Sequence, residues 1–596
     1  MHGIDTSARL KSLREQMAKA RLDGFFVPMA DEYQSEYVPA SAQRIAFLSG
    51  FTGSAGFIVV LKDRAAFFTD GRYTLQASKQ ISSDLFAVFD SGAKTPSEWL
   101  AENTKKGTKL GFDPWLHTAD GVERLKKAAA KVGAEMVAVE QNPLDAIWRD
   151  RPDAPMAPIH AHDIVYAGKS SSDKRKEIAA ELKKTSLAAA IVTDPASVAW
   201  LLNVRGGDVP DTPLPLSFAI INDQAKVKWF VDQRKVTKDL DKHLGDDVDI
   251  CDPRMFVNAL DEFGRESRAV RVDPAESASW IVERLRAAGA KLDLGDDPCV
   301  MPKACKNPTE IEGMRAAHRR DGAALVKFFC WLEGALAAGN ITEVQAQEKL
   351  GEIRSAGNLY KGPSFHTISG AGPDGAIVHY RATPETDRKL KTGEFYLLDS
   401  GGQYNDGTTD VTRTIAIGQP SAEMRDRFTR VLKGHIALAA VRFPAGVTGA
   451  ELDALARQYL WAAGLDYNHG TGHGVGSYLG VHEGPQGISK RSKVALRPGM
   501  VVSNEPGYYK AGAYGIRIEN LQVVENVVEL ASSEHNMLGF ETLTLVPIDR
   551  FAIDAAMLTP PERDWLNAYH ARVRETLKPM LSKAEAAWLD KTTTAI

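Results

Sequence analysis

The chain has 596 residues, of which 44% are hydrophobic and 25% charged, proportions that fit a globular protein and exclude a fibrous or disordered one. This length exceeds the size at which a single hydrophobic core stops growing, so several domains are expected. The net charge is −4, from 73 basic and 77 acidic residues, with no long block of lysine or arginine. Nucleic acid is therefore not an expected partner.

Cysteine usage and the first residues bear on the compartment. The four cysteines, Cys251, Cys299, Cys305 and Cys330, form no CxxC pair, which favours reduced thiols over a disulfide framework or structural zinc. The opening segment runs directly into an amphipathic helical pattern and lacks the apolar core of a signal peptide. No stretch approaches the ~20 apolar residues of a membrane span. We expect a cytoplasmic protein without a membrane partner.

Two proline-marked stretches, 151–158 and 297–308, divide the chain. Proline fixes φ and removes a backbone donor, as interdomain connectors often do. The stretches predict three domains, at 1–155, 156–308 and 309–596, the last with a C-terminal extension at about 545–596.

The first two predicted domains resemble each other. In each, apolar runs lead to Phe-x-Asp-x-Arg, at 68–72 and again 162 positions later at 230–234. Charged helical segments such as 121–133 and 173–184 alternate with the apolar runs. The pattern predicts a duplicated α/β unit. Because no GxGxxG follows a strand, neither copy is expected to bind a dinucleotide.

The third predicted domain begins with a long helix. We place its start at Pro308, with a capping box formed by Thr309 and Glu312. The same signal at Thr342 and Thr448 predicts helices near 343–356 and 449–463. Strand-like runs lie at 394–401, 411–417, 500–507 and 514–526.

This arrangement is typical of an α+β domain, with helices covering one face of a mostly antiparallel sheet. The tail beyond Asp549 carries the pattern of an amphipathic helix. We expect it to serve packing or an oligomer contact.

Four carboxylates and one histidine in the last third of the chain are candidate metal ligands: Asp399, Asp410, His473, Glu505 and Glu519. Four ionised carboxylates packed together repel one another, and two divalent cations would offset about four negative charges. Oxygen-rich ligation with a single imidazole favours Mn²⁺, Co²⁺ or Zn²⁺, and affinity alone does not choose among them. The set predicts a site for two divalent cations, with Mn²⁺ as our first expectation.

Each of these residues also has a plain structural interpretation. Asp410 follows the turn signal at 405–407, and Asp399 could cap a strand end. Either histidine of HGTGHGVG at 469–476 could be a satisfied loop histidine. Strand alternation in YGIRIEN places Glu519 on a face that is usually exposed to solvent. The metal interpretation is favoured because all five segments occur within 121 residues.

Six motifs occur in an order that a known family shares: HY at 379–380, LLDSGGQYNDGTTDVTRT at 397–414, HGTGHGVG at 469–476, VHEGP at 481–485, NEPGYY at 504–509 and GIRIEN at 515–520. This run resembles the metal-dependent M24 peptidases with the pita-bread fold. More specifically, the whole chain resembles the long, three-domain, cytosolic Xaa-Pro aminopeptidases. The resemblance implies two creatinase-like α/β domains, a pita-bread catalytic domain, and a homodimer joined through the third domain.

The resemblance also implies roles for individual residues. Those matching the five candidate ligands bind two metals, usually Mn²⁺, and those matching Asp410 and Glu519 bridge them. Substrate-binding roles are implied for Arg72, His379, His469 and His482, with Arg72 reaching in from the first domain. Arg517 matches a position beside the ligands, where its guanidinium could orient a ligand carboxylate.

The implied reaction releases the N-terminal residue from peptides with proline in the second position. Because the prolyl nitrogen lacks an N–H and bends the chain at fixed φ, selectivity must come from shape and electrostatics around the ring. As a hypothesis, a hydroxide bridging the two ions attacks the scissile carbonyl, and the free α-amine binds one ion. Glu505 would accept and pass on the proton, and His482 would stabilise the oxyanion.

Other activities of the same fold remain alternatives. Prolidases, which cut X-Pro dipeptides, share the fold and the metal set and are separated here by three-domain length and motif wording. Methionine aminopeptidases lack the duplicated N-terminal half. Non-catalytic peptide- or histone-binding proteins and creatinase-like enzymes lack the ligand set that is complete in this chain.

Overall fold

The computed structural model describes residues 5–527 and 533–596. Their contacts divide the chain into two compact units. The first comprises the described residues up to His162 together with Lys169–Val300, and the second comprises Asp163–Gly168 and the described residues from Met301 to Ile596. No described helix is long and apolar enough to cross a membrane.

The first half of the first unit is a six-stranded sheet with helices. Its strands are β1 (Gly24–Pro28), β2 (Phe57–Leu61), β3 (Ala65–Thr69), β4 (Ala87–Asp90), β5 (Lys109–Phe112) and β6 (Glu135–Ala138). Its helices are α1 (Thr6–Lys19), α2 (Arg44–Ser49), α3 (Thr74–Gln80), α4 (Pro96–Asn103) and α5 (Ala119–Lys131). The strand order is β4-β3-β2-β1-β5-β6, with β1–β2 and β2–β3 antiparallel and the other neighbours parallel.

The next stretch of chain forms a second sheet of the same kind. Its elements in chain order are β7 (His160–Ala161), α6 (Ile164–Ala167, part of the second unit), α7 (Ser171–Lys184), β8 (Ala189–Val192), α8 (Pro195–Leu202), β9 (Val204–Arg205), β10 (Phe218–Asn222), β11 (Val227–Phe230), α9 (Asp239–Leu244), β12 (Val248–Cys251), α10 (Phe256–Arg265), β13 (Ala269–Val272), α11 (Ser279–Ala288) and β14 (Lys291–Leu294). The order β12-β11-β10-β8-β13-β14 repeats the directions of the first sheet. The duplicated α/β topology matches the internal repeat of the sequence.

The repeated Phe-x-Asp-x-Arg motif has the same local geometry in both copies. Asp70 accepts the backbone N–H of Arg72 at 3.0 Å and pairs with its guanidinium at 2.7 Å. Asp232 accepts the N–H of Arg234 at 3.0 Å and pairs with its guanidinium at 2.6 Å. The Arg72 side chain is 25% exposed and lies 3.9 Å from Glu36, whereas that of Arg234 is 76% exposed.

The second unit contains the remaining elements. Its helices are α12 (Val300–Ala304), α13 (Pro308–Ala338), α14 (Glu343–Ser355), α15 (Ala422–Ala440), α16 (Gly449–Trp461), α17 (Pro560–Leu577) and α18 (Lys583–Thr592). Its strands are β15 (Tyr360–Pro363), β16 (Ile368–Ala371), β17 (Phe395–Ser400), β18 (Gly402–Tyr404), β19 (Gly407–Thr408), β20 (Val411–Ala416), β21 (Phe443–Pro444), β22 (Gly472–Gly474), β23 (Glu483–Ile488), β24 (Val501–Asn504), β25 (Gly507–Lys510), β26 (Tyr514–Arg517), β27 (Asn520–Asn526) and β28 (Met537–Thr542).

All described strand pairs of the second unit are antiparallel, as predicted. The two sheets that matter for the candidate ligands have the orders β16-β17-β20 and β21-β28-β27-β24-β22-β23. Helices pack on them through buried apolar side chains, such as Leu438 of α15 in one cluster with Phe540 of β28 and Phe428 of α15 against Phe395 of β17. Leu566 and Val573 of α17 join the same core, so the packing role expected for the tail is confirmed.

The sequence misplaced the cap of α13. Asn307, rather than Thr309, is the capping residue, because its Oδ1 accepts the backbone N–H groups of Thr309 and Glu310. The Glu310 carboxylate in turn accepts the N–H of Asn307 and completes the capping box, so Glu312 has no part in it. Pro308 then occupies the first helical position, where its missing donor costs nothing. The two other expected capping boxes are present, at Thr342 and Thr448.

Candidate metal centre

The candidate ligands lie at strand ends of the two central sheets of the second unit. Asp399 is in β17, Asp410 precedes β20, His473 is in β22, Glu505 follows β24, and Glu519 lies between β26 and β27. The carboxyl side chains of the two aspartates are buried, as is that of Glu519.

Pairing between strands explains how these distant positions meet. β17 pairs with β20 so that Asp399 is opposite Thr412, two residues beyond Asp410. β24 pairs with β27 so that Asn504 is opposite Asn520. Partners across antiparallel strands lie about 5 Å apart. The first pairing therefore brings Asp399 near Asp410, and the second brings Glu505 near Glu519.

The expectation that a continuous strand contains Glu519 is wrong. β26 ends at Arg517 and β27 begins at Asn520, so Glu519 lies in the break between them. Ile518 and Glu519 are both buried, which excludes the solvent-facing interpretation of Glu519. Glu519 lies outside the strand ladder, so its side chain need not follow the alternation of faces and points inward.

Three of the five residues form a compact cluster of possible donors. Ligand atoms of Asp410, His473 and Glu519 all lie within 4.8 Å of one another. His473 Nε2 is 3.4 Å from Asp410 Oδ2 and 3.5 Å from Glu505 Oε1. Glu505 therefore borders the same cluster, and Asp399 reaches it through the contacts described next.

Hydrogen bonds hold the carboxylates from behind. Arg517 Nη2 donates to Asp399 Oδ2 at 2.6 Å, and Arg517 Nε donates to Thr412 Oγ1 at 3.0 Å. Thr412 Oγ1 donates to Glu519 Oε2 at 2.7 Å, and Arg517 Nη1 donates to the Tyr509 hydroxyl at 2.6 Å. Neither Thr412 nor Tyr509 was expected from the sequence. Thr412 could have been found from its position two residues after Asp410, since residues i and i+2 of an extended chain face the same side.

The electrostatics of the buried carboxylates call for cations. Burial raises the pKa of Asp399 to about 7, because the negative charge of Asp410 adds to burial and Arg517 offsets only part of it. Burial, with the charges of Asp410 and Asp399, raises the pKa of Glu519 well above its usual range. Burial also raises the pKa of Glu505. Such a cluster retains protons until cations replace them.

His473 and one oxygen of Asp399 also have the properties expected of metal ligands. Burial lowers the pKa of His473, but the hydrogen bond with Asp410 and the charge of Glu505 outweigh it and raise this pKa to about 9. Nδ1 of His473 donates to the Gly474 carbonyl at 2.9 Å, which directs Nε2 toward the carboxylates. Asp399 Oδ1 is buried with no hydrogen-bond partner among the described residues. Oxygen donors, one imidazole and an unsatisfied carboxylate oxygen fit divalent metal ions.

Two of the histidines expected at the substrate lie beside the cluster. The ring of His482 packs against that of His473, with centroids 4.3 Å apart at an angle of 71°. His469 Nε2 hydrogen-bonds the hydroxyl of Tyr509 at 2.9 Å. The Tyr509 hydroxyl also accepts a hydrogen bond from Arg517, so Tyr509 links His469 to the arginine that binds Asp399.

The other expected substrate residues have different settings. The carbonyl of Val378, the residue before His379, accepts a hydrogen bond from Arg517 Nη2 at 3.3 Å. This bond holds the His379 segment beside the arginine that binds Asp399. Arg72 belongs to the first unit, where it pairs with Asp70. The substrate roles of these residues stay predictions.

Comparison with known proteins identifies the family. The model described as metallopeptidase family M24 matches residues 312–526, and that of its C-terminal region matches 536–596. Two models described as creatinase/prolidase N-terminal domain match 9–147 and 150–310. The "Probable Xaa-Pro aminopeptidase P" of Paracoccidioides brasiliensis is 41% identical, with all of both chains covered. The protein of the same name from Talaromyces marneffei is 42% identical, covering 100% of this chain and 93% of that one.

The chain belongs to metallopeptidase family M24, in its Xaa-Pro aminopeptidase group. The X-prolyl aminopeptidase of Caenorhabditis elegans, described as a cytosolic enzyme with a di-nuclear active site, has 35% identity and a TM-score of 0.95 over 100% of both chains. The expected fold, two creatinase-type domains followed by an M24 catalytic domain, is confirmed, as is the expected class of metal-dependent aminopeptidase. The prolidase of Thermococcus sibiricus, with 22% identity and a TM-score of 0.50 over 64% of this chain and 98% of that one, shares the fold alone.

Proposed function

We propose that the chain removes the N-terminal residue from peptides with proline in the second position, Xaa-Pro-Yaa, using two divalent ions. The ions would be held by Asp399, Asp410, His473, Glu505 and Glu519. The convergence of Asp410, His473 and Glu519 within 4.8 Å is the observation that carries this proposal. Full-length similarity to aminopeptidases of this specificity, rather than to prolidases, supports the substrate.

We propose Mn²⁺ as the ion, with Co²⁺ or Zn²⁺ as alternatives, because four carboxylates and one imidazole form an oxygen-rich set. When bound, the two ions would lower the proton affinity of a water molecule and polarise the scissile carbonyl. Asp410 and Glu519 would be shared between the ions. Arg517 would hold Asp399 in position through its 2.6 Å hydrogen bond.

Glu505 is proposed as the proton acceptor. The Ser503 hydroxyl donates to its Oε1 at 3.1 Å, and its backbone N–H donates to the Thr471 carbonyl at 2.8 Å, so the carboxylate is held firmly. A carboxylate held beside the attacking water can accept its proton. The proton then passes to the prolyl nitrogen, which has no N–H and leaves as a secondary amine.

The substrate contacts are proposed for four residues. His482, packed on His473, would donate to the oxyanion. His469 and His379 would line the prolyl side, and Arg72 would bind the peptide from the first domain. The tertiary prolyl amide offers no donor, so these groups would select the ring by shape and charge.

Glu505→Gln tests the proton acceptor. We expect kcat on an Arg-Pro-Pro peptide to fall about 10²- to 10⁴-fold, because the amide cannot accept the proton. Metal content is measured in the same sample, and turnover is compared at saturating Mn²⁺. Glu423→Gln, which removes a surface pair with Lys510, is the matched control and should be near wild type. Near-normal turnover of Glu505→Gln would remove Glu505 from this role.

The substrate class is tested by comparing Gly-Pro with Gly-Pro-Yaa peptides. We expect hydrolysis of the longer peptides and little of the dipeptide, and hydrolysis of Gly-Pro alone would favour the prolidase alternative.

We further propose the domain division 1–155, 156–308 and 309–596, a homodimer joined through the third domain, and a cytoplasmic location. Sedimentation of the purified chain tests the dimer, and a monomeric mass would reject it.

A further inference from the structure

A fully buried arginine, Arg413, lies behind the metal centre, and its hydrogen bonds within the described part of the chain include no carboxylate. Its side chain makes six of them, to the carbonyl oxygens of Thr412, Glu519, Val546 and Pro547, to the amide oxygen of Asn520 and to the hydroxyl of Tyr569. A planar guanidinium presents its donors in a rigid fork, so this many contacts fix the geometry of what they join.

Arg413 holds the backbone of one candidate ligand directly. Its Nη1 donates to the Glu519 carbonyl at 2.7 Å and to the Thr412 carbonyl at 2.8 Å. The Glu519 backbone N–H donates to that same Thr412 carbonyl at 3.2 Å. Both ends of the Glu519 peptide are therefore tied to β20, which begins one residue after Asp410. Arg413 thus sets the separation of the two carboxylates proposed to be shared between the ions.

The same buried network reaches Glu505 through side chains. Asn520, next to Glu519, accepts from Arg413 at 2.8 Å and donates through Nδ2 to His435 Nε2 at 3.0 Å. His435 Nδ1 donates to the carbonyl of Asn504 at 3.1 Å, and Asn504 Nδ2 donates to the His435 carbonyl at 3.0 Å. Asn504 immediately precedes Glu505. The network therefore joins the backbone beside Glu519 to the backbone beside Glu505.

The C-terminal helix α17 closes the network on its far side. The Tyr569 hydroxyl accepts from Arg413 at 2.9 Å and also from the Val546 backbone N–H at 3.2 Å. Trp565, one turn earlier, stacks on the Tyr569 ring with centroids 5.4 Å apart. The Trp565 ring also makes a T-shaped contact with the ring of His435, with centroids 6.0 Å apart. Two side chains of α17 thus contact the two ends of the network.

We infer that Arg413 is a positioning residue for the metal centre and that α17, through Tyr569, contributes to metal affinity from the C-terminal region. Ligand carboxylates bind well only when their backbone is held within a fraction of an ångström, and hydrogen-bonded groups behind the ligands supply that restraint. A buried hydrogen-bond network is weakened when one of its members is left unpaired. Loss of the Tyr569 hydroxyl of α17 should therefore loosen the backbone at Glu519. The inference rests on the ligand assignment proposed above.

Mn²⁺ titration of the chelated full chain, followed by competition with a fluorescent chelator, tests this inference. We expect Arg413→Lys to weaken binding by about 10- to 100-fold, the usual cost of losing a group behind the ligands. Tyr569→Phe should weaken it by about 2- to 10-fold, the value of the hydrogen bond that joins Tyr569 to Arg413. Tyr404→Phe is the matched control, because it removes a buried hydroxyl that donates to Asp321 at 2.9 Å, outside the network.

The rise in unfolding temperature on adding Mn²⁺ is a second readout, and a purely structural role would not change it. The rise in unfolding temperature on adding Mn²⁺ should shrink in Arg413→Lys and Tyr569→Phe, since stabilisation by a ligand follows its affinity. In Tyr404→Phe the metal-free unfolding temperature should fall while the rise on adding Mn²⁺ is retained. Saturating Mn²⁺ should restore most of the kcat of Tyr569→Phe.

Each outcome has a definite meaning. Wild-type affinity in both variants, or an equal loss in Tyr404→Phe, would overturn the positioning role while leaving the metal site intact. A wild-type chain that binds no Mn²⁺, Co²⁺ or Zn²⁺ would instead reject the proposed site, and the inference with it. If Arg413→Lys does not fold, Tyr569→Phe decides.

Discussion

The buried carboxyl of Asp399 links protonation, stability and metal binding. Its pKa is raised from 3.8 to about 7, chiefly by burial, so the folded chain binds a proton more tightly than the unfolded chain does. A carboxyl whose pKa is raised on folding contributes stability that is fully present below about pH 4 and is lost as pH rises through about 7. His473, with its pKa raised from 6.5 to about 9, extends this loss to higher pH. We therefore expect the chelated protein to lose stability between about pH 4 and 9.

The measurement is the unfolding temperature across this range, with chelator and with Mn²⁺. Asp399→Asn cannot ionise, so its chelated form should show a weaker decline from about pH 4 to 7. Mn²⁺ should abolish the decline in the wild type, because ions replace the protons and metal affinity rises with pH. Parallel curves for wild type and Asp399→Asn would contradict this account of the carboxylate.

Helix α16 holds the loop that carries His469. Arg457 of α16 pairs with Asp453 at 2.8 Å and donates to the carbonyls of Tyr467 and His469 at 2.8 Å and 2.7 Å. We expect Arg457→Lys to lower kcat/KM on Xaa-Pro-Yaa peptides about 10- to 100-fold, since a displacement near 1 Å at a substrate contact has that effect. Arg430→Lys is the control.

Arg430 offers the same chemistry away from the centre, because it pairs with Asp426 at 3.0 Å and donates to the Tyr459 carbonyl at 3.1 Å. Its replacement should lower stability less, because the Arg430 side chain is 26% exposed against 3% for Arg457, and should leave kcat/KM near wild type. Equal losses of kcat/KM in both variants would show that the contacts of Arg457 with the His469 loop have no specific role in activity.

The elements also show what the sequence can and cannot predict. Alternation, capping signals and the Asn-Asp-Gly turn located β17, β20, β24, α14 and α16, and the shared order of motifs gave the family. Local patterns failed where a residue leaves a regular element, as at Glu519. They also gave no sign of Arg413 and Tyr569 as partners, because these residues are 156 positions apart and only the folded chain joins them.

The duplication within the first unit supplies a natural control for the proposed role of Arg72. Arg72 and Arg234 sit in the same turn with the same aspartate pairing, yet only Arg72 is proposed to bind the peptide. Arg72→Ala should raise KM for Xaa-Pro-Yaa peptides about 10-fold or more, the value of a hydrogen bond from a charged group, with metal affinity unchanged. Arg234→Ala should leave KM unchanged. An equal KM for the two variants would confine peptide binding to the residues of the catalytic domain, because the duplicated turn would then have only a structural role.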